Sequence, residues 1–163
     1  MIELVEMVCM GAMATLFMDL LAPRLGKMKI IHPLIGPEAV GRWILYMLRG
    51  KFFHEDINKT PPLNRERTVS LLFHYLIGIA LAGVYLLLEV YVPAIRHQLW
   101  MPLIFGIATV ILPWFWLYPS IGIGFLASKV GKRSHYIVTS LVNHTNFGLG
   151  LLIWVALFRP YLL

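Results

Sequence analysis

The chain has 163 residues, 59% of them hydrophobic and 13% charged, with a mean hydropathy of +0.75, a net charge of +6 and a pI near 9.7. An average soluble domain is about half apolar and about a quarter charged. The composition argues against a soluble globular domain and against disorder, and the length allows one domain, residues 1–163.

A bilayer-crossing helix needs about 20 mostly apolar residues. Four stretches qualify: 2–22, 68–91, 98–128 and 136–158. The first carries Glu3, Glu6 and Asp19. It lacks a basic leader and has no small-x-small cleavage site before Pro23, so it reads as a retained helix. Its Cys9 is the chain's one cysteine and is expected to be a small buried hydrophobe.

Residues 23–66 are too polar to span. Within them, 36–50 reads as a short amphipathic helix, with Pro37 at its first position and Gly50 at its C-cap. Val40, Trp43, Ile44, Met47 and Leu48 form its apolar stripe, and Glu38 can pair with Arg42 four residues on. Arg42, Trp43 and Arg49 are the expected membrane-interface residues if it lies on the leaflet. A helix packed on the cytoplasmic end of the bundle fits equally well. The run Lys51-Phe52-Phe53-His54-Glu55-Asp56 has metal-ligating residue types, but reads first as a solvated loop.

The second span has no full charge before Glu89. The third is punctuated by Pro102, Pro113 and Pro119, and a break is expected over 119–124. The fourth carries His144 as its one ionisable group of note.

Of the 14 Lys and Arg residues, 12 fall in segments 23–67 and 129–133. Arg96 and Arg159 are the two on the other side. Basic loops stay cytoplasmic. Loops 23–66 and 129–135 are therefore expected inside and both termini periplasmic, in a bacterial inner membrane. The same asymmetry accounts for the pI without nucleic acid.

Spans two and four align at an offset of 70. Ser70-Leu71-x-x-His74-x-x-Ile77-Gly78 matches Ser140-Leu141-x-x-His144-x-x-Phe147-Gly148. Spans one and three share a weaker echo, Gly11 to Thr15 against Gly106 to Thr109. The expected architecture is an all-α membrane protein of four transmembrane helices, built as two parallel two-helix repeats about an axis along the membrane normal. Each span also carries small or polar residues at four-residue spacing, which should face the bundle interior.

At about 1.5 Å per residue, His74 and His144 lie about 10 and 12 Å inside the cytoplasmic ends of their spans, and Asp19 about 5 Å inside. Intramembrane ionisable groups mark candidate sites. Asp19, His74, Tyr118, Asn143 and His144 form the candidate ligand-binding set. Bonding between helices is the structural alternative, on even terms.

These motifs resemble a family of uncharacterised bacterial inner-membrane proteins, domain of unknown function 2938. The resemblance covers nearly the whole chain. It is carried by Met18-Asp19, Gly41-Arg42-Trp43, Phe52 with His54, Pro61-Pro62 with Glu66, His74-Tyr75 with Ile77-Gly78-Ile79, Pro119 with Gly122 and Gly124, and Ser140-Leu141 with His144 and Phe147-Gly148. Members often carry Gln where this chain has Tyr118. The resemblance implies a small polytopic membrane protein and no activity.

The first functional reading is small-ligand binding or transport at a buried Asp/His site, in a homo-oligomer. The alternative is an accessory or assembly subunit of a larger membrane complex. A lower alternative is a haem b protein with His74 and His144 as axial ligands. An enzyme ranks last, because no phosphate loop, H-E-x-x-H or serine elbow occurs.

Overall fold

A computed structural model of the chain describes residues 2–158. Arg159, one of the two basic residues expected on the periplasmic side, and the side chain of Glu3 lie outside the described residues. Among the described residues there is no strand. Four helices are long and apolar enough to cross a membrane: Leu4–Lys27, Glu66–Tyr91, Met101–Ser120 and Arg133–Leu157.

Helix α1 (Ile2–Lys27) runs through Pro23 and ends with Arg24 and Lys27 in its last turn, where cations suit the helix dipole. Pro23 lacks the N–H that would bond the Asp19 carbonyl. Helix α2 (Pro37–Met47) starts on Pro37 as expected. It is closed by Gly50, whose φ of +83° lets Lys51 N–H reach back to the Tyr46 carbonyl at 3.0 Å. Helix α3 (Glu66–Tyr91) follows, then α4 (Met101–Ala108), a π-helical turn (Pro113–Leu117), a single turn α5 (Tyr118–Ser120) and α6 (Arg133–Leu157).

The third apolar stretch differs from its expected course. Its helix ends at Ser120 instead of continuing to Ser128, so residues 119–124 terminate the span instead of breaking it. Gly122 and Gly124, at φ +93° and +81°, carry the chain out. The exit is held by the segment after α2: His54 N–H bonds the Ser120 carbonyl at 2.8 Å, and Ile57 N–H the Ile121 carbonyl at 3.1 Å. A Cβ at Gly122 would meet the Glu55 carbonyl.

Close approach between small residues sets the helix contacts. Helix α1 packs on both α3 and α6, α4 packs on α6, and α2 packs on α3. A Cβ at Gly11 would meet the backbone of Gly78 and Ile79 in α3. One at Gly106 would meet Gly148 in α6, and one at Gly150 would meet Ala14 in α1. Such surfaces let helices associate where lipid removes the hydrophobic driving force.

Two apolar clusters result. Met10, Ala14, Ala82, Tyr85, Phe147 and Leu151 join α1, α3 and α6. Ala39, Trp43, Ile44, Ile57, Tyr118 and Ile121 join α2 to the end of the third span. Cys9 is not in either; it is exposed on α1, contrary to the expectation of burial. It precedes the buried pair Met10 and Gly11 on the helix and points away from their contact.

Candidate functional site

Asp19 and His74 meet directly. His74 Nε2 lies 3.0 Å from Asp19 Oδ1. A carboxylate only accepts, so Nε2 carries the proton and donates. The meeting joins α1 to α3. The small contact of Gly11 with Gly78 brings the two helices close enough for both side chains to bridge it. Each side chain keeps about a third of its surface open, 37% for Asp19 and 35% for His74. Tyr75 edges against the His74 ring, and approaches the same carboxylate.

His144 on α6 is held differently. Its Nδ1 lies 2.7 Å from Thr109 Oγ1, and that hydroxyl is 2.6 Å from the Gly106 carbonyl. The hydroxyl has one proton, which goes to the carbonyl because two acceptors at 2.6 Å need a proton between them. Thr109 therefore accepts from His144 Nδ1–H, and a neutral His144 has its lone pair on Nε2.

A cavity of about 820 Å³ joins these groups. Asp19, His74, Asn143 and His144 all line it. Asn143 Oδ1 is buried without a hydrogen-bond partner. The rest of the lining is mostly apolar, with Ile77, Leu81, Leu112, Trp116 and Trp43 of α2 beside Thr15, Arg67, Thr68 and Ser70. Leu71 and Trp116, on α3 and the π-turn, are exposed, so the cavity opens sideways between these elements.

Tyr118 is not part of this lining. It is 3% exposed, and its hydroxyl donates to the Tyr136 carbonyl at 3.1 Å. It belongs to the packing at the end of the third span.

Residues 8–158 match the family described as "Protein of unknown function (DUF2938)". The chain belongs to this family. Comparison with curated proteins found no match, and comparison with solved structures found none. The matched stretch of the DUF2938 family contains every cavity residue named above.

The expected interface residues divide. Arg42 and Trp43 turn inward, and Arg49 is exposed. Trp43 is 2% exposed and donates its indole N–H to the Phe52 carbonyl. Arg42 makes a two-pronged pair with Glu66, Nε to Oε1 at 2.7 Å and Nη2 to Oε2 at 3.0 Å. Its partner is thus on α3, while Glu38 faces Arg67 at 4.0 Å. The Glu66 bond holds the Arg42 guanidinium above its ordinary pKa.

His54 is not in a solvated loop. It is 6% exposed, with Nδ1 3.0 Å from Thr60 Oγ1 and its ring against Tyr46. Burial, with Lys51 nearby, pushes its pKa below the ordinary imidazole value. Among the described residues no three His, Cys, Asp or Glu side chains are grouped to hold a metal ion. The bis-histidine haem arrangement needs a free ring nitrogen on each histidine facing the iron. His74 has Nε2 engaged by Asp19, which leaves only Nδ1, the nitrogen closer to its own backbone.

Sequence reasoning missed Thr109 as the orienting partner of His144. In the sequence Thr109 stands out only as the end of the weak echo between spans one and three. Sequence reasoning also read Arg67 only as a topological charge, whereas it lines the cavity mouth.

Proposed function

We propose that this chain is a multi-pass protein of the bacterial inner membrane whose intramembrane cavity binds a small ligand, for carriage or sensing. One observation carries the reading: a single cavity gathers Asp19, His74, Asn143 and His144 from α1, α3 and α6. An ionisable pair in a membrane span is costly and marks a ligand or ion path by default. Loops 23–66 and 129–135 face the cytoplasm and the termini the periplasm, by the distribution of Lys and Arg. The cavity then lies in the cytoplasmic half, beneath α2.

The reading as two parallel repeats rests on paired contacts. Gly11 meets Gly78 as Gly106 meets Gly148. Thr15 Oγ1 donates to the Gly11 carbonyl at 2.8 Å, as Thr109 does to that of Gly106. His74 and His144 are then equivalent, each held by the other helix of its own pair. Four spans enclose little space for a transport path, so the working unit is a homo-oligomer.

Cysteine accessibility tests the cavity. In a Cys9→Ala background, Ile77→Cys on the cavity wall should react with a small charged thiol reagent. Leu76→Cys, on the exposed face, should not react in the membrane. Equal protection of both positions would remove the cavity from consideration.

A further inference from the structure

Several of the polar atoms that line the cavity are acceptors, alongside the hydroxyls of Thr68 and Ser70 and the amide N–H groups of Asn143. Asp19 is the one carboxylate among its lining residues. Asn143 Oδ1 is buried there and accepts nothing. Neutral His144 has its lone pair on Nε2, because Nδ1–H is given to Thr109. His74 gives its Nε2–H to Asp19. The Asp19 carbonyl lacks its usual helical donor because residue 23 is proline. The hydroxyl of Thr15, the nearest lining donor on α1, is already spent on Gly11. A buried acceptor without a donor, as Asn143 Oδ1 is, is costly, and a ligand that brings N–H groups relieves that cost.

The formal charge points the same way. Arg67, the one lining residue with a permanent positive charge, stands at the mouth with its side chain 81% exposed and faces Glu38. The lining therefore offers one carboxylate, that of Asp19, and the unpaired Asn143 Oδ1. Apart from Thr68 and Ser70, most of the remaining wall is hydrocarbon and aromatic, Leu71, Ile77, Leu81, Leu112, Leu117 and Trp116 among it.

Resting on the ligand-cavity reading above, we propose that the occupant is an alkylammonium amphiphile: an N–H-bearing cation placed against Asp19 and Asn143, with its hydrocarbon body along the lateral opening. An anion would meet Asp19 head-on. A quaternary ammonium would neutralise Asp19 but leave the acceptors unpaired. Two sources supply this chemistry, a free aliphatic amine and the headgroup of an aminophospholipid entering from the bilayer.

The test uses the full chain in phosphatidylglycerol nanodiscs, with empty nanodiscs as the partition control. Octylammonium, octyltrimethylammonium and octanol are titrated while the fluorescence of the tryptophans is followed, since Trp43 and Trp116 line the cavity. Octylammonium should bind saturably, about tenfold or more tighter than either analogue, because a charge-assisted hydrogen bond is lost in each. Asp19→Asn should abolish that preference. Asn143→Leu, which keeps the Asp19 carboxylate but removes the unpaired acceptor, should weaken octylammonium binding. Adding phosphatidylethanolamine should weaken octylammonium binding if the lipid is the natural occupant; undiminished binding assigns the site to a soluble amine. Equal binding of octanol and octylammonium, unaffected by Asp19→Asn, would overturn the cation while leaving the cavity. Saturation by none of the three would also overturn it, and the Ile77→Cys reaction then decides the cavity separately.

Discussion

Arg42 and Glu66 are joined in parallel at 2.7 and 3.0 Å, with 13% and 7% of their side chains exposed. The knot is larger than the pair. Arg42 Nη1 also donates to the Ile57 and Thr60 carbonyls, each at 3.1 Å, and Glu66 Oε1 accepts from Leu63 N–H at 2.7 Å. One guanidinium therefore ties α2, the 57–60 turn and the start of α3. Directly beneath, a Cβ at Gly41 would meet the Glu66 carbonyl.

Breaking that pair from one side leaves a buried charge unmatched, at a cost of about 3 kcal/mol. Glu66→Gln should lower the thermal midpoint in detergent clearly. Arg42→Lys should also lower it, since an ammonium cannot make the forked contact. An unchanged midpoint for both variants would mean that the knot contributes nothing to stability.

Gly106→Ala should destabilise the α4–α6 contact by about 1–3 kcal/mol, because the added methyl lands on the Gly148 backbone and the helices must separate. Gly131→Ala, where the added methyl meets nothing, is the control. The comparison is read from thermal unfolding of the two variants. Similar midpoints would contradict the close approach.

His54 should make stability fall with acid. The unfolded chain binds its proton near pH 6.5. The folded chain binds it only at lower pH, because of burial. The unfolded state thus holds more protons across that window, so stability rises with pH there. This contribution is complete above about pH 6.5 and is lost as pH falls toward the folded value. His54→Gln should flatten the midpoint-against-pH curve between neutral pH and pH 5. A wild-type slope in the variant would assign the acid sensitivity to other groups.

Asp19 and His74 should couple in a double-mutant cycle. With both side chains about a third exposed and the contact between helices, the coupling is about 0.5–1.5 kcal/mol. Asp19→Asn, His74→Gln and the double variant, unfolded in the same detergent, give the value. Strict additivity would mean that the 3.0 Å contact is not a working interaction.

Hydropathy alone was enough to find four helices, because the length and apolarity of a span are local properties. The start of α2 at Pro37 and its closure at Gly50 were legible for the same reason: both depend on backbone constraints of single residues. The partner of Arg42 was not legible. Glu38 is one turn away in sequence, but Glu66 is brought in by the fold 24 residues on. His54 read as solvated because it lies in a run with Lys51, Glu55 and Asp56; its burial goes with main-chain bonds of this segment to Ser120 and Ile121. The end of the third span shifted for the same reason.

Four of the five candidate site residues line one cavity, since four-residue spacing on a helix carries a face with it. Tyr118 does not, because the π-turn that precedes it changes the face that residues beyond Leu117 present. Rotations of that kind have no signature in a hydrophobic pattern. Asp19 and His74 were grouped from sequence in one candidate set, but their direct contact depends on how α1 packs on α3, which a hydrophobic pattern does not carry.

Cys9 is the chain's one cysteine and is exposed on α1, and it is not among the residues that line the cavity. The native protein therefore accepts one spin label per copy without any engineering and without obstructing the ligand space. In a monomer that label has no neighbour. In a symmetric pair it yields a single dipolar distance, so the unmodified sequence already contains the ruler that counts its own copies in the bilayer.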